Sequence, residues 1–254
     1  DHSPLSKRHG ATSVAEFRAR GYLPEALTNY LALLGWSPGA DEELVPIDEL
    51  APRFRLQDVG HSAGVFDIDK LAWVNRHYLK AADAGRLVRL SIPYLRQREW
   101  ISEATSSDVA FLESIIPAAA ASVDRLEQVP ARLGFLFDYS ATRALAEPSV
   151  RAEALASRDV ITALAEELRQ SDRLRDREAF RAAASRIRAR TGQKGKALFH
   201  PMRLALTGEP EGLELDLAVP AIEAGASLQA SGIKPIPGAA ERANAFVAAL
   251  NVEP

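Results

Sequence analysis

The protein has 254 residues, 47% of them hydrophobic and 26% charged, with a net charge of −3. This profile is typical of a globular protein of one to three domains and excludes disordered and fibrous chains. The sequence contains no cysteine, which excludes disulfides and thiolate metal sites and fits a reducing compartment.

Helical signals begin after a polar, aperiodic stretch at residues 1–13. Ser13 and Glu16 have the spacing of a capping box, and we expect the short helix that they start to end at Gly21. Pro24 is suited to the first turn of a second helix, whose apolar residues recur at helical spacing until Gly35.

The chain then alternates between breaks and helices. Turn residues occupy positions 36–43, a short helix is indicated at 47–50 with a break near 52–56, and residues 60–64 are predicted to be a flexible link. Asp67 is predicted to cap a helix that carries Ile68, Leu71, Val74 and Tyr78 on one side.

The second half is more uniformly helical. Helices are predicted at residues 92–101, 108–116, 118–126, 130–137, 148–157, 159–170, 175–190, 201–206 and 239–250, with a kink or restart at Pro117. Residues 194–200 are predicted to be a loop and 208–212 a turn. The sequence therefore predicts a mainly α protein with short helices.

Charge is distributed unevenly along the chain. Residues 169–203 contain eleven Lys or Arg and three acids, a net charge of +8, so the remainder carries −11. Such an asymmetry indicates a face presented to a polyanion such as nucleic acid, or else a long solvated helix. The longest apolar stretch, residues 109–123, is interrupted by Glu113 and Pro117 and is too short for a membrane span, which needs about 20 apolar residues.

No self-contained active site is visible. The five histidines lack metal-ligand spacing, so no metal site is predicted, and glycine loops that bind nucleotides are absent. Two loops rich in lysine and glycine are candidate phosphate sites: residues 5–10, and residues 192–203, where Phe199 and His200 could stack on an unpaired base. The alternative for the second is a surface loop whose Phe and Leu fill the core.

Four ordered blocks resemble the bacterial glutamyl-tRNA synthetases, which are class I aminoacyl-tRNA synthetases. Residues 4–10 (PLSKRHG) resemble the KMSKS signature loop. The other blocks are residues 21–37 (GYLPEALTNYLALLGWS), 66–75 (FDIDKLAWVN) and 194–215, which is similar to the family pattern KGKxLFxPxRxALTG. The similarity runs over essentially the whole chain.

The resemblance implies a layout in four parts. Residues 1–12 would be the KMSKS-like loop at the tail of the catalytic domain, and residues 13–88 a stem-contact region. An all-helical anticodon-binding region would follow in two subdomains, residues 89–142 and 143–254. The family's catalytic domain precedes the KMSKS loop, and the chain lacks an initiator Met, so we expect a piece that binds tRNA but does not form the adenylate alone.

The resemblance also implies roles for particular residues. Ser6 and Lys7 match the SK of the signature, whose lysine stabilises the ATP phosphates; the motif's first lysine falls on Pro4, which leaves Lys7 as its only lysine. The implied tRNA contacts are Arg203, Lys194, Lys196, Pro210, Glu211 and Leu213, although the turn at 210–213 is shorter here.

The implied partners are tRNA(Glu), ATP with Mg²⁺, and L-glutamate. The resemblance implies that the whole enzyme is cytoplasmic and monomeric, that this piece alone binds no cofactor, and that no membrane is involved.

The family distinguishes tRNA(Glu) from tRNA(Gln) partly through an arginine in a block that here reads Pro-Ala-Ala-Ala-Ala-Ser (117–122). Alanine cannot supply a guanidinium contact. Either discrimination is relaxed and tRNA(Gln) is also charged, or Arg125 has taken the role. A non-catalytic helical interaction module is the alternative from another class, whereas a paralogue that modifies an anticodon base would lack this helical region.

Overall fold

The computed structural model describes residues 13–39, 42–60 and 65–252. The α-helices are, in chain order, α1 (Val14–Ala19), α2 (Pro24–Leu33), α3 (Ile47–Arg53), α4 (Ile68–Ala81), α5 (Ala84–Gln97), α6 (Ser106–Ala120), α7 (Val129–Phe137), α8 (Ala141–Leu145), α9 (Pro148–Ala156), α10 (Arg158–Gln170), α11 (Arg177–Thr191), α12 (Lys196–Thr207), α13 (Leu215–Ala226) and α14 (Ala239–Leu250). Across these described ranges, extended pairing is limited to one isolated antiparallel bridge between Ile101 and Ile233. The predicted mainly α class is confirmed.

The chain divides into two compact units. The first comprises Asp1–Tyr94 and Ile116–Val129, and the second Leu95–Ile115 and Pro130–Pro254. Helices α5 and α6 therefore each contribute residues to both units. The four-part functional layout drawn from the sequence stays a prediction.

The first unit is built on packing between α2 and α4. One of its core clusters consists of five buried side chains: Phe17, Tyr22, Leu27, Tyr30 and Leu71. The helix starts are those that the sequence predicts. Ser13 and Glu16 form the capping box, and the Asp67 side chain accepts hydrogen bonds from the backbone N–H groups of Asp69 and Lys70.

A buried amide ties three segments of the first unit together. Asn75 on α4 is fully buried; its Oδ1 accepts from the backbone N–H of Leu23 at 2.8 Å, and its Nδ2 donates to the carbonyl of Asp124 at 2.6 Å. Gly21 adopts φ +84°, and a β-carbon there would lie 2.6 Å from Leu126. The close approach of these backbones therefore requires glycine.

The second unit is organised around α10, which packs against α11, α12 and α14. Its apolar face is buried through Val160, Ile161, Leu164 and Leu168. Phe180, Ala184 and Ile187 form a narrow apolar stripe on α11 that is also buried, and this helix, predicted at 175–190, is ended by Gly192 with φ +70°.

A fully buried arginine closes the centre of the second unit. Arg242 on α14 has no exposed surface, and its guanidinium donates to the carbonyls of Pro237, Phe135, Leu206 and Leu136 at 2.6–2.9 Å. The last three carbonyls belong to the final turns of α7 and α12, which lack partners within their own helices. The ring of Tyr139 stacks on the guanidinium at 4.6 Å. Burial lowers the pKa of Arg242 to about 10, so the guanidinium is charged at neutral pH.

A buried carboxylate anchors the segment before α14. Asp108 in the first turn of α6 is fully buried and accepts hydrogen bonds from Ser231 Oγ, from the backbone N–H of Gly232 at 2.9 Å and from that of Thr105 at 2.8 Å. Burial opposes the charged form, but these hydrogen bonds outweigh it, and the pKa of Asp108 is lowered.

Several predicted helix boundaries are wrong, in places where the prediction depended on a proline or on a weak local pattern. α5 begins at Ala84 and ends at Gln97, not at residues 92 and 101, and α6 runs through Pro117 without a break. Residues 196–200 form the first turns of α12, which continues through Pro201. A proline removes one backbone hydrogen bond, and burial of Leu198, Met202 and Ala205 outweighs that loss.

Two helices, α8 and α13, are absent from the sequence predictions. α13 contains Pro220 and Gly225, which argue against a helix locally. A β-carbon at Gly225 would lie 2.5 Å from Ile236 and 3.1 Å from Phe111. The glycine is therefore used for close packing inside the helix, a reason that only the partner side chains reveal.

Replacement of Arg242 by Met should lower the free energy of unfolding by about 3 to 5 kcal/mol, because carbonyls buried with the guanidinium would lose their donor. Urea unfolding of the variant measures this. The exposed neighbouring substitution Glu241→Gln should stay within about 0.5 kcal/mol of the unmodified chain. A similarly small change for Arg242→Met would contradict the assigned role.

The lowered pKa of Asp108 predicts a loss of stability in acid. A carboxylate with a depressed folded-state pKa stabilises the fold above its unfolded value, about 3.9, and this contribution disappears as the pH falls through the folded-state pKa. Urea unfolding at several pH values should show that Asp108→Asn is less stable at neutral pH and has a shallower acid dependence. The exposed substitution Asp172→Asn should change neither, and equal slopes for all three chains would refute this role of Asp108.

Candidate nucleic-acid interface

The predicted cations at residues 194–203 lie where α11 turns into α12. Gly192 and Gly195 adopt φ +70° and +56°, values that glycine reaches without strain. Lys194 lies between them and Lys196 begins α12, and both side chains are exposed. Arg203 follows Lys196 by two helical turns, so the two share a face of α12 about 10 Å apart along its axis.

Arg203 lies beside the turn that follows α12. Gly208 caps the helix with φ +72°, and Thr207 Oγ1 accepts from the backbone N–H of Glu209 at 3.2 Å. Nη1 of Arg203 lies 3.4 Å from the point that a β-carbon on Gly212 would occupy. Pro210 and Glu211 are exposed and Leu213 is half-buried, so the turn offers Arg203 a polar, accessible neighbourhood.

A cleft of about 360 Å³ opens next to this turn. Residues from α7, α8, α9, α12 and the turn line it, and they include Gly134, Arg143, Glu153, His200, Glu209 and Pro210. His200 Nδ1 is paired with the Glu153 carboxylate. This pairing restrains the imidazole that the sequence offered as a stacking group.

The carboxylate of Glu209 gives the cleft its electrostatic character. Burial raises the pKa of Glu209, although the charges of Arg143, Arg203 and Arg132 act to lower it. Guanidiniums from α7, α8 and α12 are therefore close enough to act electrostatically on one half-buried acid. Arg132, Arg143 and Glu209 carry no sequence motif, and only the fold brings them together.

Much of the basic stretch is neutralised by acids from elsewhere in the chain. Four of its arginines form ion pairs with carboxylates on other helices: Arg173 with Glu223, Arg181 with Asp216, Arg186 with Glu167, and Arg190 with Glu166. Lys194, Lys196 and Arg203 form no ion pair within the part of the chain that the structure describes. The cations of the stretch that remain available to an outside anion therefore include these three around α12 and, on and before α11, the exposed Arg175, Arg177 and Arg188.

The sequence left open whether the Phe and Leu of this segment fill the core or lie at the surface, and the structure gives a different answer for Leu198 and Phe199. Leu198 is buried, whereas 42% of Phe199 is exposed, on the first turns of α12 rather than in a loop. Phe199 is thus an apolar surface between the lysines and Arg203.

The predicted ATP-contact residues cannot be placed in the structure. Ser6 and Lys7 lie outside the described residues. Among those residues no three His, Asp or Glu side chains converge in a way that could hold a metal ion, and no helix there has the length and hydropathy needed to cross a bilayer.

Comparison with known proteins gives two family matches. A family described as anticodon binding domain matches residues 86–229, more than half of the chain. A second family, described as the catalytic domain of class I tRNA synthetases (E and Q), matches residues 1–73. The chain is therefore a segment of a class I synthetase that passes from the end of a catalytic domain into an anticodon-binding domain.

Curated relatives narrow the family. The chain is 36% identical over 223 residues to a glutamate-tRNA ligase from Desulforamulus reducens, covering 87% of this chain and 46% of the relative. It is 39% identical over 220 residues to one from Natranaerobius thermophilus, covering 85% and 44%. The chain belongs to the glutamate-tRNA ligase family and spans about half the length of these relatives.

Two solved structures share the fold. The crystal structure of a glutamate tRNA ligase from Elizabethkingia meningosepticum, in complex with its amino acid, matches with a TM-score of 0.66 at 20% identity, over 97% of this chain and 44% of that one. Glutamate-tRNA synthetase from Elizabethkingia anophelis matches with a TM-score of 0.67 at 21% identity, over the same shares.

Proposed function

We propose that this chain is the tRNA-binding portion of a glutamate-tRNA ligase, an enzyme that activates glutamate with ATP and transfers it to tRNA(Glu). The observation that carries the proposal is the group of unpaired cations on and before α12, inside the segment that matches the anticodon-binding family. Phosphates supply most of the affinity in such complexes, and they need cations that are not already engaged within the protein.

The surface around α12 combines the groups that read single-stranded RNA. Lys194 and Lys196 offer flexible ammonium groups to phosphates, Phe199 exposes a ring on which a base can stack, and Arg203 offers a guanidinium beside an accessible turn. In this proposal the lysines hold the backbone, and Arg203 contacts an anticodon base together with Pro210 and Leu213.

The chemistry of the whole enzyme is part of the same proposal. Ser6 and Lys7 would contact the ATP phosphates during formation of the glutamyl adenylate, since they match the signature loop of the family. An ammonium group suits the charge that develops on phosphates in such a step. The support here is the sequence match alone.

Charge reversal at Arg203 tests the proposal. Arg203→Glu should weaken tRNA binding by roughly 1 to 3 kcal/mol if Arg203 contacts a base, and the affinity of the unmodified chain should fall steeply with salt. Filter binding over a salt series measures both quantities. Arg158→Glu, at an exposed position in the first turn of α10, is the control, because an acidic residue is tolerated there. Absent or salt-insensitive binding would favour an interaction module instead.

A second candidate function is charging of tRNA(Gln) as well as tRNA(Glu). Ala119 and Ala120 are completely buried at the end of α6, so neither offers a side chain to a base. Arg125 is already engaged, with its Nε donating to Glu127 at 2.6 Å and its guanidinium 5.9 Å from the ring of Tyr22. These contacts favour relaxed discrimination over a substitute role for Arg125.

The whole enzyme, with its catalytic domain, should then charge both tRNAs at comparable rates in an aminoacylation assay. Ala118→Arg should shift the ratio toward tRNA(Glu), because a guanidinium can contact a base edge in a bidentate manner. Ala118→Gln, which adds length without charge, serves as the matched control. A strong preference for tRNA(Glu) by the unmodified enzyme would reject relaxed discrimination.

A further inference from the structure

The turn after α12 carries a carboxylate that lies near Arg132, Arg143 and Arg203 but pairs directly with none of them. Glu209 is half-buried, yet within the described residues its side chain accepts no hydrogen bond and forms no ion pair. Its backbone, in contrast, is bonded in both directions to Thr207 Oγ1 at 3.2 Å. The residue is therefore fixed at its backbone while its acceptor oxygens remain free.

The carboxylate has a defined position despite the absence of partners. Its Oε1 lies 3.5 Å from the point that a β-carbon on Gly134 would occupy, and its Oε2 lies 3.9 Å from the corresponding point on Gly212. The group is thus wedged between α7 and the turn, at the wall of the cleft. Nη1 of Arg203 lies 3.4 Å from the same point on Gly212, so a donor and an acceptor converge on one glycine without pairing.

This arrangement leaves the carboxylate partly dehydrated and without a direct hydrogen-bond partner among the described residues. A partly buried carboxylate loses hydration that only a hydrogen bond or an ion pair replaces, and burial raises the pKa of Glu209 against the pull of three arginines. A ligand that donates to the carboxylate and accepts from Arg203 would satisfy both groups at once.

We propose that Glu209 is a specificity-determining residue of the RNA site, whose carboxylate accepts from the exocyclic amino group of an unpaired cytosine while Arg203 donates to N3 and O2 of that base. This inference rests on the function proposed above. Carboxylates are suited to the cytosine amino group and guanidiniums to adjacent acceptors, and unpaired loop bases expose this edge.

The chemistry of the other bases explains the choice. Uracil has a carbonyl oxygen where cytosine has its amino group, and an N–H at N3, so it opposes the carboxylate with an acceptor and Arg203 with a donor. Guanine likewise presents an N–H at the central position. Adenine keeps one amino group beside one acceptor but lacks a second acceptor for Arg203. Cytosine alone satisfies both side chains.

A simpler role for Glu209 is that of a counterion to Arg132, Arg143 and Arg203. In that case removal of its charge would strengthen binding of every RNA equally, because the surrounding potential would become more positive. The two roles therefore differ in base preference rather than in overall affinity.

The experiment measures binding of the full 254-residue chain to whole tRNA and to RNA hairpins of an anticodon arm, with cytosine or uracil at each loop position in turn. We expect the unmodified chain to prefer cytosine at one position by roughly tenfold. Glu209→Gln should lower that ratio several-fold, because an amide can donate to the uracil oxygen as well as accept, while Arg203 still favours the N3 acceptor of cytosine. Glu214→Gln, at an exposed position at the start of α13, removes the same charge and should keep the ratio.

Arg203→Lys provides a second variant that retains the charge. It should also reduce the cytosine preference, since a lysine cannot donate to two adjacent acceptors in a fixed geometry, while leaving the salt dependence unchanged. The inference is overturned if the unmodified chain binds tRNA without preferring cytosine at any position, or if Glu209→Gln keeps the preference. Absence of binding to any of these RNAs would refute the proposed function itself and this inference with it.

Discussion

The hydrogen bonds of one buried guanidinium hold the second unit in its observed arrangement. Arg242 satisfies carbonyls at the C-terminal ends of both α7 and α12, where unpaired acceptors concentrate negative partial charge. Tyr139 adds to the same junction by donating to the carbonyls of Ala205 and Arg242. The end of α12 and the turn after it are therefore fixed from a helix near the C-terminus.

This junction matters for function because the candidate RNA contacts lie on the elements that it fixes. Arg203 lies one turn before the end of α12, and Glu209 directly follows the cap at Gly208. Arg242 itself lies beyond the 86–229 segment that matches the anticodon-binding family. Helix α14, which lies outside the matched segment, thus helps to fix the end of α12 and the turn after it, which lie inside that segment.

The arginines and lysines of the basic stretch differ in whether they form ion pairs within the protein. Those on α11 and just before it mostly pair with acids of α10 and α13, and such pairs contribute little free energy while they cancel the local field. The cations near Gly195 and along α12 have no such partner among the described residues. The net charge of a sequence window therefore overstates the attraction that the folded surface exerts on an anion.

The sequence by itself determined the helical class, the capped starts at Ser13 and Asp67, the end of α11 at Gly192 and the family resemblance, because capping and periodicity depend on residues within a few positions of one another. Only the tertiary structure decided that α6 and α12 continue through Pro117 and Pro201, that Gly225 lies inside a helix, and that Glu209 faces arginines from three helices. These outcomes depend on burial against side chains far away in sequence, and local patterns contain no record of those partners.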